Sequence, residues 1–245
     1  MKVSNMAKQE SISFIIPTLN EEDRIESCIM AIKPQLRVGD EIIVVDNGSS
    51  DETNKIARML GAKVIKEAQK GLSNARNAGA NAAVGQILCF IDADGLVSPG
   101  WLSQALQSLS NPKISVVSGL NVFKTSDKLK KFWYNTYTVG AYSFVLSFHS
   151  LLSWTYLVGN NMAIRKNVFE DLGGFEAVVG EDFWLSHNFG KERSYKGAVN
   201  LKMKVNLSSR RFEEKGFLKT VFLDWIVDAL TKTPQVKYAT LEEQN

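Results

Sequence analysis

At 245 residues, 44% of them apolar and 22% charged, the chain is large enough for one sizeable α/β domain or two small ones, and its composition excludes a disordered or collagen-like protein. A net charge of +3 is too small to argue for a nucleic-acid partner. Cys28 and Cys89 lack C-x-x-C spacing, which speaks against a disulfide framework or zinc site, and MKVSNMAKQE has no apolar signal core; a reducing, cytoplasmic location is the expectation.

Residues 1–10 read as a flexible N-terminus. SISFII (11–16) reads as a strand. NEEDRIESCIMAI opens with Asn20 and acids, a good helix start, and puts Ile25, Cys28, Ile29 and Ile32 on one face. EIIVVD (41–46) is a second strand, followed by NGSS and a helix from about Asp51 to Leu60. AKVIK (62–66) is a short third strand, and residues 72–83 form an Ala-rich helix. ILCFI (87–91) reads as a strand buried on both faces. A helix near 99–109 and the strand ISVVSG (114–119) follow. Strand and helix alternating in this way predict βαβ units around a parallel sheet. Residues 11–120 therefore form one half of an α/β domain, residues 121–232 its second half, and 233–245 a tail.

The second half is less regular. Between Lys131 and Arg165 lie 33 residues without Asp, Glu, Lys or Arg, rich in aromatic and aliphatic side chains. Polar residues such as Asn135, Ser143, His149 and Thr155 interrupt the stretch. It reads as helices packed in the core or lying at a membrane interface rather than as a bilayer span. Residues 191–219 hold nine Lys/Arg against three Glu, a basic surface for diphosphates or lipid headgroups, or a merely solvated face. VFLDWIVDAL (221–230) carries an apolar stripe at helical spacing, suited to a core, a homodimer face or a membrane.

Chemistry concentrates at the ends of the predicted strands. Asp92 and Asp94 follow ILCFI and can share a hard cation such as Mg²⁺ or Mn²⁺ bridging to a diphosphate; a helix cap or turn is the plain alternative. No G-x-G-x-x-G follows a strand and no G-x-x-x-x-G-K-[ST] occurs, so neither a dinucleotide fingerprint nor a P-loop holds the phosphates. Pro17-Thr18-Leu19-Asn20-Glu21, Asp46-Asn47-Gly48-Ser49-Ser50-Asp51 and Leu72–Gly79, with Arg76, project to the same edge of the sheet. Polar groups there can read a base and a ribose, although a cap, a turn and an ion pair account for each one singly.

In this order, PTLNEE, VVDNGSSDET, GLSNARNAGA, IDADG, GGFE and Glu181-Asp182 resemble the family 2 glycosyltransferases of the GT-A fold, over roughly residues 11–190. The resemblance implies a Rossmann-like, mostly parallel sheet flanked by helices, with a C-terminal helical extension on the acceptor side. It implies inverting transfer of a sugar from a UDP- or GDP-sugar donor with the help of a divalent cation. Thr18, Glu21, Asp46 and Arg76 match the family's nucleoside-binding positions, and Pro17, Asn20, Asn47 and Glu181 lie beside them in the motifs. Asp92 matches the acid near ribose and metal, Asp94 the direct metal ligand, and Asp182 the catalytic base. Inversion needs such a base, because the acceptor hydroxyl loses its proton as it attacks the anomeric carbon. An acidic first turn of the FWLSHNFG helix is the alternative reading of Glu181-Asp182.

The chain departs from the family pattern where a C-terminal His often supplies a third metal ligand, since its two histidines are His149 and His187. Arg210 and Arg211 stand in the tail instead, as a diphosphate clamp, a contact to anionic lipid, or solvated side chains. The Q-x-x-R-W signature of processive synthases is absent, which favours transfer of a single sugar. The apolar and basic segments together suggest a lipid-linked acceptor and a protein peripheral to the inner face of a membrane. A sugar-nucleotide nucleotidyltransferase and a non-catalytic binding module of the same fold are the competing readings; the first usually needs a basic Gly-rich loop where PTLNEE is acidic.

Overall fold

The computed structural model describes residues 10–125, 127–130, 132–136, 140, 155–178, 180–209, 213 and 216. Eight strands form a single sheet: β1 (Ile12–Thr18), β2 (Glu41–Asp46), β3 (Lys63–Lys66), β4 (Ile87–Ile91), β5 (Leu96–Val97), β6 (Ile114–Lys124), β7 (Asn161–Arg165) and β8 (Lys196–Ser208). The helices are α1 (Glu22–Ile32), α2 (Thr53–Met59), α3 (Leu72–Ala82), α4 (Trp101–Leu109), α5 (Lys166–Asp171) and α6 (Glu181–Lys191).

The strand order is β3-β2-β1-β4-β7-β6-β8-β5. β3, β2, β1 and β4 are mutually parallel, as the βαβ pattern predicts. β7 then inserts antiparallel between β4 and β6, β8 runs parallel to β6, and β5 closes the edge antiparallel to β8. β6 continues past residue 120, so the two halves drawn from the sequence share one sheet. The antiparallel insertion carries no local sequence signal: MAIR reads as a buried strand in either direction.

Both faces of β1, β2 and β4 are covered, which is why these strands are nearly continuous in apolar residues. On β1, Phe14 and Ile16 join one cluster with Ile25, Cys28, Ile29, Ile32 and Trp101, from α1 and α4. Ile15, pointing the other way, joins a second with Ala75, Phe90, Phe169, Phe175 and Leu185, which brings in α3, α5 and α6. Each fully buried side chain of this kind contributes roughly 1.5–3 kcal/mol. β8 has one wet face: Lys202 and Lys204 are exposed while Met203, Val205 and Leu207 are buried. Its lysines are the solvent-facing alternation of an amphipathic strand.

Among the described residues no helix is long and apolar enough to cross a membrane. Arg210, Arg211 and the apolar-striped segment 221–230 lie outside the described residues, as does most of the uncharged stretch.

Candidate active site

Parallel pairing of β1, β2 and β4 delivers Thr18, Asp46 and Asp92 to one edge, where the strand order reverses between β1 and β4. Thr18 lies directly opposite Asp46 in register, and its hydroxyl donates to the Val45 carbonyl at 3.2 Å. Pro17 pairs with Val45 in the same ladder.

The loops at this edge are tied to one another. Asp46 is buried; its carboxylate accepts from the Ser49 N–H at 2.7 Å, the Gly48 N–H at 3.3 Å and the Asn54 amide at 2.7 Å. Burial alone would raise this carboxyl, but the bonds from Ser49, Asn54 and Gly48 hold it below the usual carboxylate value. Asn47 donates to the Glu67 and Gln69 carbonyls at 2.9 and 2.8 Å and accepts from the Gly71 N–H at 2.8 Å.

Asn20 does not cap α1, as its place before the acids suggested. It sits in the left-handed region at φ 52°, accepts from the Ser50 N–H at 2.9 Å and receives no helix N–H. Asn tolerates that conformation better than most residues, and its side chain reaches across to the second loop instead. Glu21 precedes α1, pairs with Arg24 at 2.8 Å and donates its N–H to the Thr53 hydroxyl at 2.8 Å.

The GLSNARN segment is the hub. Ser73 donates to the Glu176 carbonyl at 2.6 Å, and Asn77 both donates to the Phe175 carbonyl at 2.8 Å and accepts from its N–H at 3.0 Å, so α3 holds the GGFE loop. Arg76 is 2% exposed, with Nη2 donating to Asp92 Oδ1 at 2.7 Å and Nη1 to Glu181 Oε1 at 2.5 Å. Its guanidinium carbon lies 5.2 Å from the centre of the Phe175 ring. Burial opposes its charge, but Asp92 and Glu181, with Asp182 behind them, outweigh burial and raise it above the ordinary arginine value.

Asp182 lies in the first turn of α6, half-buried. It accepts from the Phe183 N–H at 2.8 Å and from the Tyr156 hydroxyl at 3.2 Å. Burial, and then the adjacent Glu181 charge, push its carboxyl up to about 6, while Arg76, the Phe183 N–H and Tyr156 restrain the rise. The Leu157 N–H donates to Ser186 Oγ at 2.8 Å and pins this strand of chain to α6. Gly159 is required here: a Cβ on it would come within 2.9 Å of Arg76 Nη1 and 3.2 Å of Asp182 Cβ. Sequence reasoning missed Tyr156 and Gly159. Both sit at the end of the uncharged stretch, where nothing distinguishes a site residue from core.

Asp94 and Asp92 are both half-buried. After burial, the charges of Asp94 and Asp92 are the next causes that push the Cys28 thiol up; Arg24 is raised first by its bond to Glu21, with Asp94 a lesser cause. Hard carboxylate oxygens of this kind suit Mg²⁺ or Mn²⁺. Among the described residues no three His, Cys, Asp or Glu side chains cluster as a complete metal cage. The donor set therefore fits a cation that takes its remaining ligands from a diphosphate and water, as Mg²⁺ does. His187 packs its ring against Trp184 on α6, 5.6 Å between centroids, and His149 lies outside the described residues.

The architecture and this edge have relatives. The family model described as glycosyl transferase family 2 matches residues 13–173. The glycosyltransferase AglE of Haloferax volcanii is 34% identical over 116 residues, which are 44% of this chain and 38% of AglE. A mannosyltransferase from Pyrobaculum calidifontis, solved in complex with GDP-Man and Mn²⁺, superposes with a TM-score of 0.61 at 23% identity, over 80% of this chain and 56% of that one. Glucosyl-3-phosphoglycerate synthase from Mycobacterium tuberculosis, in complex with Mn²⁺, UDP and phosphoglyceric acid, gives 0.58 at 23% identity, over 82% and 69%. Both likenesses are of the GT-A fold. With its strand-end acids, its α3 hub and a family match that runs from β1 through α5, this chain belongs to glycosyl transferase family 2.

Proposed function

We propose that the chain is a metal-dependent, inverting glycosyltransferase that moves one sugar from a UDP- or GDP-sugar to an acceptor hydroxyl. The observation that carries this reading is Asp182: a half-buried carboxylate pushed up to about 6, at the start of α6, joined through Glu181 and Arg76 to the D-x-D strand end. A base of that strength is matched to neutral pH.

In this reading the acceptor oxygen attacks the anomeric carbon on the face opposite the diphosphate. The new C–O bond forms as the bond to the β-phosphate oxygen breaks, the nucleoside diphosphate departs, and Asp182 takes the hydroxyl proton. Tyr156 and the Phe183 N–H hold the carboxylate in orientation. Asp94 and Asp92 would hold the cation, which when bound supplies charge stabilisation to the leaving diphosphate. Thr18, Asn20, Glu21, Asp46 and Asn47 form the wall against which the nucleoside rests. The GDP-Man and Mn²⁺ named for one similar structure, and the UDP and Mn²⁺ named for the other, support the donor class and the cation.

For the acceptor we favour a lipid-linked hydroxyl met at an anionic membrane surface. Residues 128–130 and 132–136 are helical, and Leu129, Phe132 and Trp133 are 66%, 62% and 60% exposed beside the exposed Lys128 and Lys130. Aromatic side chains next to lysines suit the headgroup boundary.

The decisive test is release of nucleoside diphosphate from a panel of UDP- and GDP-sugars, with and without Mn²⁺, by the wild type and Asp182→Asn. Metal-dependent release by the wild type and its loss in the variant support the reading. Equal release by both removes Asp182 as the base.

A further inference from the structure

Arg76 matches a nucleoside-binding position of the family, but its surroundings leave its fork no open face. Nη2 is taken by Asp92 at 2.7 Å and Nη1 by Glu181 at 2.5 Å. Phe175 lies 5.2 Å from the guanidinium carbon, and Gly159 approaches so closely that a Cβ there would be 2.9 Å from Nη1. The side chain is 2% exposed, and Nε is buried without a hydrogen-bond partner. A group enclosed in this way acts on what it grips.

We propose that Arg76 is a positioning residue that fixes the end of β4, which carries Asp92, against the first turn of α6, which carries Asp182, with Glu181 as its anchor on the helix rather than as a second base. This rests on glycosyl transfer at the site as proposed above. Without the guanidinium, Asp92, Glu181 and Asp182 would repel one another, and the spacing between the donor's diphosphate and the base would open. Arginine suits the task because its rigid fork reaches two carboxylates at once; an ammonium is a point charge and replaces the fork incompletely. The GGFE loop, held by Ser73 and Asn77 of the same helix, closes the assembly from the Phe175 side.

Wild type, Arg76→Lys, Arg76→Met, Glu181→Gln and Asp182→Asn would be compared by calorimetry for Mn²⁺-dependent binding of UDP and GDP. The same proteins would be assayed for steady-state release of nucleoside diphosphate from UDP- and GDP-sugars, with thermal unfolding as the control for folding. A misplaced base costs on the order of 10²-fold in turnover. Arg76→Met should show that loss in kcat with donor KM and nucleotide Kd nearly unchanged, and Arg76→Lys should recover part of it. Glu181→Gln keeps the volume and an accepting oxygen, so it carries the test if Arg76→Met does not fold; its kcat should fall below wild type at unchanged Kd. The proposal is overturned if nucleotide affinity collapses while kcat at saturation survives, which would make Arg76 a donor ligand. It is also overturned if folded Arg76→Lys and Glu181→Gln both turn over like the wild type. Asp182→Asn separates the two levels: if it is as active as wild type, the reaction assigned to the site fails, whereas an inactive Asp182→Asn beside fully active Arg76 and Glu181 variants removes only the positioning role.

Discussion

The Tyr156 hydroxyl donates to Asp182 Oδ2 at 3.2 Å, joining the end of the uncharged aromatic stretch to the first turn of α6. This bond is one of the contacts that restrain the rise of the Asp182 carboxyl.

Tyr156→Phe should therefore move the acid limb of the kcat/KM profile to higher pH. The sign follows from the bond, which favours the charged carboxylate; without it protonation persists to higher pH. Nucleoside diphosphate affinity should not change. A pH–rate profile from about pH 5 to 9 checks this, and an unmoved acid limb would show that the bond does not act on the base.

Asp182→Asn should lower turnover by roughly 10²–10⁴ and yet raise stability at neutral pH. The folded carboxyl titrates at about 6, above the unfolded value of about 3.9, so between these values the native state binds more protons. Native stability thus falls as pH rises through that window and stays lower above it. The uncharged amide escapes this loss. Its melting temperature should exceed the wild type's at pH 7.5 and match it below about pH 4, as read by thermal unfolding across pH.

Asp94→Asn should leave the fold intact and abolish most cation-dependent nucleotide binding, because an amide cannot replace the charge facing Mg²⁺ or Mn²⁺. Calorimetric titration of UDP and GDP with and without Mn²⁺ measures it. Equal metal-dependent binding by wild type and variant would remove Asp94 as a ligand.

The wild type should sediment with anionic liposomes at low salt, less with neutral ones, and less again as salt screens the attraction. Replacing Phe132 and Trp133 together by Ser should weaken sedimentation without lowering nucleotide affinity, since both are exposed and distant in sequence from the strand-end motifs. Wild type remaining in the supernatant with anionic vesicles would favour a soluble acceptor.

The donor half was legible because local pattern and tertiary role agree there. ILCFI is apolar since it is buried on both faces, and Asp92 follows it at the edge where the strand order reverses. Ile25, Cys28, Ile29 and Ile32 face the core as their spacing requires. Other residues were not legible because distant partners decide what they do. Asn20 looks like a helix cap until Ser50 is beside it, and the partner that Arg76 finds in Glu181 lies 105 residues further along the chain. The spacing of Lys202 and Lys204 is that of an amphipathic strand, with Met203 and Val205 buried on the opposite face. Tyr156 resembles its aromatic neighbours in every respect except position.

The placement of β7 makes the first 120 residues dependent on what comes long after them. Ile87–Ile91 of β4 is bonded on one side to β1 and on the other to Asn161–Arg165. A fragment ending after β6 would bare one whole edge of a fully buried apolar strand, an open template for pairing with other copies of itself. The first half is thus no detachable module: the chain must run on to Asn161 and return before the sheet that carries Thr18, Asp46 and Asp92 at its edge is sealed.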